Sequence, residues 1–87
     1  MKSASAPIET GKKPLTTVAK YINRFIRVTL KNELVYEGMM VDCDSYMNLV
    51  IEKAVEYKGD SRKAQYPRIL IRGNNIMYIQ LLPMPRE

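Results

Sequence analysis

At 87 residues the chain can hold one domain and no more, and a domain near that size buries only about 60% of the surface its unfolded chain exposes. One cysteine, Cys43, excludes an internal disulfide, and the absence of histidine leaves a zinc site with little to draw on. Association with other chains is then the expected source of extra stability. The formal charge of +5 is unevenly spread: residues 1–31 hold seven Lys/Arg against Glu9 alone, residues 32–57 hold Lys53 against six acids, and residues 58–87 hold six Lys/Arg against Asp60 and Glu87. Basic ends around an acidic middle point to a polyanion met on part of the surface, and equally fit the ordinary solvation of a basic protein. The lone cysteine, with no signal peptide and no membrane-length apolar run, suits a cytoplasmic protein that does not engage membranes.

Residues 1–13 are small, polar and basic, with Pro7 and Gly11, and are expected to form a flexible tail. Pro14 suits the first position of a helix, and Leu15, Val18, Ala19 and Ile22 give that helix one apolar stripe. At about ten residues it is too short to stand alone and must pack on something larger.

From Phe25 the apolar period changes to two. Phe25–Leu30 is a predicted strand, Lys31-Asn32-Glu33 a tight turn, and a second strand runs from Leu34 towards Asp44 with Gly38 inside it. A glycine at such a place marks a bulge or sharp bend, as a small sheet needs in order to close on itself. Met47 to Tyr57 is a third strand, with Met47, Leu49 and Ile51 on one face. Tyr57 to Lys63 is read as a polar loop. Two short apolar strands follow, Arg68–Ile71 and Ile76–Leu82, separated by Arg72-Gly73-Asn74-Asn75. Pro83 and Pro85 close the domain, so that residues 14–82 form the domain and 83–87 a short C-terminal tail.

One helix followed by five short strands makes the chain mainly all-β, with a strongly bent antiparallel sheet or small open barrel. The last two strands lack the charges that would protect an exposed edge. Edge pairing between copies, repeated head to tail, closes into a ring when the rotation allows it.

No Gly-rich phosphate cradle, histidine base or metal-ligand cluster is present, and Cys43 has no imidazole partner. The chain is therefore not expected to be an enzyme or to hold a cofactor. The residues that stand out are Gly38-Met39-Met40-Val41-Asp42-Cys43-Asp44-Ser45-Tyr46-Met47-Asn48-Leu49-Val50-Ile51 and Ile71-Arg72-Gly73-Asn74-Asn75-Ile76. Together they resemble the two halves of the signature of Sm and Sm-like proteins, over roughly residues 14–82. The first half has a strand glycine and an aspartate four residues before an asparagine. The second has Arg-Gly, a polar residue and Asn between apolar residues.

The resemblance implies the Sm fold, and rings, usually of seven subunits, that bind single-stranded uridine-rich RNA in pockets around a central pore, with identical subunits as partners. Carried onto matching positions, it implies that Asn48 pairs with the uracil edge while Asp44 fixes the orientation of the Asn48 amide. Tyr46 and Arg72 would sandwich the base, Gly73 would allow close backbone approach, and Asn75 would brace the loop. Taken singly, these residues have plainer uses: Asp44 and Asn48 as caps of a turn, Tyr46 as a packed rim residue, Asn74 and Asn75 as turn formers tolerating positive φ. Met39, Met40 and Met77 read as core or interface fillers.

The sequence also departs from the family pattern. Glu33 stands where many relatives have glycine, Asp42-Cys43 stands where many archaeal relatives have Gly-Tyr, and the histidine of the bacterial branch is missing. An archaeal-type Sm-like protein is the expectation. Two other readings remain open on the residues: a ring serving as a scaffold for protein partners, and a small basic barrel that grips nucleic acid through phosphates alone.

Overall fold

The computed structural model describes residues 19–84 and the backbone of residues 8–9. Its frame is one antiparallel sheet built from β1 (Ile8–Glu9), β2 (Arg24–Leu30), β3 (Leu34–Cys43), β4 (Leu49–Lys58), β5 (Ser61–Ile71) and β6 (Ile76–Leu81). The strand order is β1-β6-β2-β3-β4-β5. Strands β2 to β5 form a simple meander, and β6 then returns to the free side of β2, pairing Ile26 with Leu81 and Val28 with Ile79. Five long strands in a bent sheet agree with the expected architecture. The helix expected from Pro14 lies mostly outside the described residues; Ala19 is its described end, and a turn through Asn23 leads into β2. Tyr21 and Ile22 pack against the core from that turn.

Alternation decides what the sheet encloses. Along β2, Ile26, Val28 and Leu30 point inward, and along β3 Tyr36 and Met40 do the same. With Leu49, Ile51, Ala54, Ile71, Ile76 and Ile79 they make one core. Each fully buried Ile, Leu or Met contributes roughly 1.5–3 kcal/mol relative to exposure.

Gly38 is where the sheet bends. Glu37 pairs with Val55 but Met39 pairs with Glu52, so one residue of β3 faces two of β4. Lys53 absorbs the extra residue at φ 54°, and the inward positions of β4 change from Leu49 and Ile51 to Ala54 across it. A Cβ on Gly38 would lie 2.6 Å from Ile51 Cγ2 and 2.8 Å from the Glu52 carbonyl oxygen. Only glycine fits so close a crossing.

Two expectations are corrected. The polar stretch Tyr57–Lys63 is not a loop: Tyr57 pairs with Arg62 and Lys58 with Ser61, so that only Gly59 (φ 61°) and Asp60 form the turn. β5 is an outer strand whose first residues are exposed on both faces, which removes the apolar alternation by which a strand is read. The third strand starts at Leu49 rather than Met47, because Met47 turns into the core at φ 67°; of the methionines expected as core or interface fillers, Met40 is fully buried and Met77 is 48% exposed.

Beside the core, the Tyr36 and Tyr66 hydroxyls both donate to Glu56 Oε1, at 2.8 and 3.1 Å. Burial first, then the hydrogen bond to Glu56 and its negative charge, push Tyr36 up to about 12. This cluster ties β3, β4 and β5 together with neutral phenols.

Candidate nucleic-acid interface

The two connections that carry the sequence signature meet because of strand register. Cys43 pairs with Leu49 across the β3–β4 connection, and Leu49 pairs with Ile71 across β4 and β5. Asn48 precedes Leu49 and Arg72 follows Ile71, so residues 24 positions apart become neighbours at the same end of the sheet. Leu49 and Ile71, buried beneath them, hold that end rigid.

Asp44 organises the first loop. Its Oδ1 accepts hydrogen bonds from the backbone N–H groups of Tyr46 (2.9 Å) and Asn48 (3.0 Å). Its Oδ2 accepts from the Asn48 side-chain amide at 3.0 Å. The hydrogen bond from the Asn48 amide above all, then that from the Asn48 backbone, with lesser help from the Tyr46 backbone and the Arg72 charge, holds the Asp44 carboxyl below the usual range against the opposing effect of burial. Met47 turns its side chain into the core, 9% exposed, at φ 67°, and leaves Tyr46 79% exposed on the outside.

The second loop locks the same amide from the other side. The Gly73 N–H donates to Asn48 Oδ1 at 2.8 Å. A carboxylate can only accept and a backbone N–H can only donate, so the Asn48 amide has one permitted orientation. One N–H and one lone pair of the carbonyl remain unused by these bonds. A Cβ on Gly73 would collide with the Tyr46 carbonyl oxygen and come within 3.0 Å of the Met47 backbone, so a larger residue would push the loops apart.

Asn75 acts through its backbone. Its N–H donates to the Arg72 carbonyl at 3.0 Å, closing a 3-10 turn over Gly73–Asn75, and its carbonyl accepts from the Lys31 N–H at 2.8 Å. Neither Asn74 nor Asn75 uses the left-handed conformation their residue type allows; among the described residues other than glycine, positive φ falls at Asn23, Glu33, Met47 and Lys53. The parts played by Met47 and by the Lys31 backbone escape sequence reading. An apolar Met carries no sign of a left-handed backbone, and nothing in Lys31-Asn32-Glu33 shows that this turn touches a loop some forty residues away.

The structure thus brings Asp44, Tyr46, Asn48, Arg72, Gly73 and Asn75 to one end of the sheet. A groove of about 540 Å³ lies elsewhere, on the face lined by Arg27, Glu37, Tyr57 and Tyr78, and shares none of these residues. The loop cluster is a polar surface with one exposed aromatic ring and a fixed donor and acceptor. A flat edge with a matching donor and acceptor could meet such a surface. Next to it, Cys43 has its thiol pushed up by burial first and then by Asp42 and Asp44, the reverse of what a nucleophile needs. Among the described residues no group of His, Cys, Asp and Glu could hold a metal ion, and no helix is long and apolar enough to cross a membrane.

Residues 16–81 match the LSM domain family. The chain is an LSM-domain protein. It is 36% identical over 73 residues to the U6 snRNA-associated Sm-like protein LSm6 of Pyricularia oryzae, covering 84% of this chain and 88% of that one. Among solved structures, the Sm-like protein AF-Sm2 of Archaeoglobus fulgidus is 34% identical with a TM-score of 0.71, over 80% of this chain and 95% of that one. The Sm protein of Pyrococcus abyssi, solved in complex with a uridine heptamer, has a TM-score of 0.76 at 24% identity, over 82% of this chain and all of that one, and shows the shared fold. Membership of this family, whose members bind rather than transform, makes the LSM-domain chain a non-enzyme.

Proposed function

We propose that this LSM-domain protein is a ring subunit that binds single-stranded, uridine-rich RNA, one base per subunit. The observation that carries the reading is the locked Asn48 amide between Asp44 and Gly73. Uracil presents an N–H donor beside a carbonyl acceptor, which matches the lone pair and N–H that Asn48 has left. Cytosine presents the reverse order. A cytosine held in the same pose would require the Asn48 amide to turn over, which would set its NH2 against the Gly73 N–H and its carbonyl against the Asp44 carboxylate. Discrimination thus resides in the two partners as much as in Asn48 itself.

Exposed Tyr46 and Arg72 supply an aromatic ring and a guanidinium plane for the faces of the base, a contact worth roughly 1–3 kcal/mol per base. Gly73 lets the two loops close, and Asn75 braces the second through its backbone. One such pocket is weak. Several around a pore raise the effective concentration for successive bases of one strand and add affinity without new contacts. Uridine tracts fit because pyrimidines stack weakly and splay out at low cost.

The uridine complex of the Pyrococcus abyssi protein and the U6 snRNA association in the name of the LSm6 relatives support RNA as ligand. The reading takes identical subunits, seven to a ring, in an archaeal-type protein of the cytoplasm that acts in RNA processing or ribonucleoprotein assembly. Residues 14–82 are the working domain and residues 1–13 a basic tail. The test is a salt titration with oligo-U, oligo-A and duplex DNA, made on the parent and on Asn48→Ala and Arg72→Ala. A uridine preference that persists as phosphates are screened, and disappears in both variants while the ring stays intact, is expected. Equal binding to all three nucleic acids would favour contact through phosphates alone, and variants that bind oligo-U like the parent would remove the pocket.

A further inference from the structure

The outermost long strands, β5 and β6, are guarded differently. β5 does not lack protective charges as expected: its first part carries Arg62, Lys63, Pro67 and Arg68, residue types that discourage pairing there, and its apolar end at Ile69-Leu70-Ile71 is the stretch left to pair with a further strand. β6 has no charge at all in Ile76-Met77-Tyr78-Ile79-Gln80-Leu81. A strand of that composition with a bare edge is a template for another chain. The edge is not bare. β2 holds one side of β6, and on the other side Ile8 pairs with Ile79 and Glu9 with Tyr78, antiparallel.

We infer that residues 8 and 9 are a built-in stopper: they occupy the backbone edge of β6 that the β5 edge of a second copy must take for the sheet to run on from subunit to subunit. The inference rests on the ring reading. A strand has one ladder on each side, so β1 and an incoming β5 compete for the same groups at Tyr78 and Ile79. Two paired residues make a weak stopper, and the net worth of one or two backbone hydrogen bonds corresponds to roughly tenfold in an equilibrium. A longer ladder from a neighbour displaces it once the chain is concentrated, or once an RNA strand gathers several subunits. The dilute chain keeps its most pairing-prone edge covered until a proper neighbour arrives.

A cross-link tests this directly. Glu9→Cys with Tyr78→Cys, in a Cys43→Ser background, places two thiols on opposed positions of an antiparallel pair, within the reach of a disulfide. The oxidised protein is expected to be a monomer by native mass spectrometry at concentrations where its reduced form and the parent make rings. Removing residues 1–13 is expected to lower the concentration of half-assembly roughly tenfold. Oxidised protein that assembles as readily as reduced, a pair that does not cross-link in the monomer, or a truncation that leaves the midpoint unchanged or raises it, each overturns the stopper while rings still form. A chain that stays monomeric in every form, with and without oligo-U, removes the ring reading and the stopper with it.

Discussion

Ile26, Leu49, Ile51, Ile76 and Ile79 lie at 0–1% exposure inside the bent sheet, while Asp44, Tyr46 and Arg72, three to five residues before the buried Leu49 or Ile76, are exposed. The first group is held by burial, which has no direction and adds up over area. In the second, Asp44 and Tyr46 are held by hydrogen bonds, in which each partner sets the orientation of the next. Stability and the proposed recognition therefore sit in adjacent but separate sets of residues. Substitutions in one should move the folding midpoint, and substitutions in the other should move binding.

The largest effect is expected in the core. Ile51→Ala should cost about 2–5 kcal/mol, read as a lower urea midpoint, because a fully buried side chain leaves a cavity that its neighbours only partly fill. Uridine binding by the fraction that stays folded should be unchanged. Gly73→Ala tests the boundary between the two sets. The added Cβ meets the Tyr46 carbonyl and the Met47 backbone, so a stability loss of about 1–3 kcal/mol should accompany loss of oligo-U binding.

Next in size is Asp44→Asn, which sets two amide NH2 groups against each other at a 3.0 Å contact. Preference for oligo-U over oligo-C is expected to fall about tenfold per pocket, the worth of one charge-assisted hydrogen bond, with the urea midpoint nearly still. Acid titration of the parent gives a related reading. A carboxyl held below its usual range supports the loop at every pH above the ordinary aspartate value, about 3.9, and that support is lost only as pH falls through the lowered one. Binding should thus hold down through the ordinary range and fail beneath it; failure one or two units higher would place the controlling proton elsewhere.

The smallest effect has the opposite sign. Glu33 sits at φ 76° in the β2–β3 turn, a conformation that costs a residue with a Cβ about 1–2 kcal/mol. Glu33→Gly should stabilise the fold by about 0.5–1 kcal/mol, read as a higher urea midpoint, after the extra chain entropy of glycine is subtracted.

Much of this architecture is legible in the residues. Alternation in Phe25–Leu30 and Leu49–Ile51 marks half-buried strands, and Gly38 marks the bend, since each is a local consequence of residue type. Of the outer strand β5, Arg68–Ile71 is legible and the first part is not, because residues exposed on both faces have no apolar period to read. The same holds for Lys53 and Met47, whose left-handed backbones are imposed by register and burial on residues that carry no preference for them. Asp44 and Asn48, four apart, are a local pair whose capping use is visible in the chain itself.

By itself the sequence determined a single small β domain, its core face, its sharp bend and the kinds of polar group at its loops, since side-chain chemistry and two-residue periodicity act over a few neighbouring positions. Only the tertiary structure decided which of those groups meet. That Gly73 closes on Asn48 and that residues 8 and 9 lie along β6 follow from pairing between segments distant in sequence. Such pairing is set by how the whole sheet closes, and no local preference encodes it.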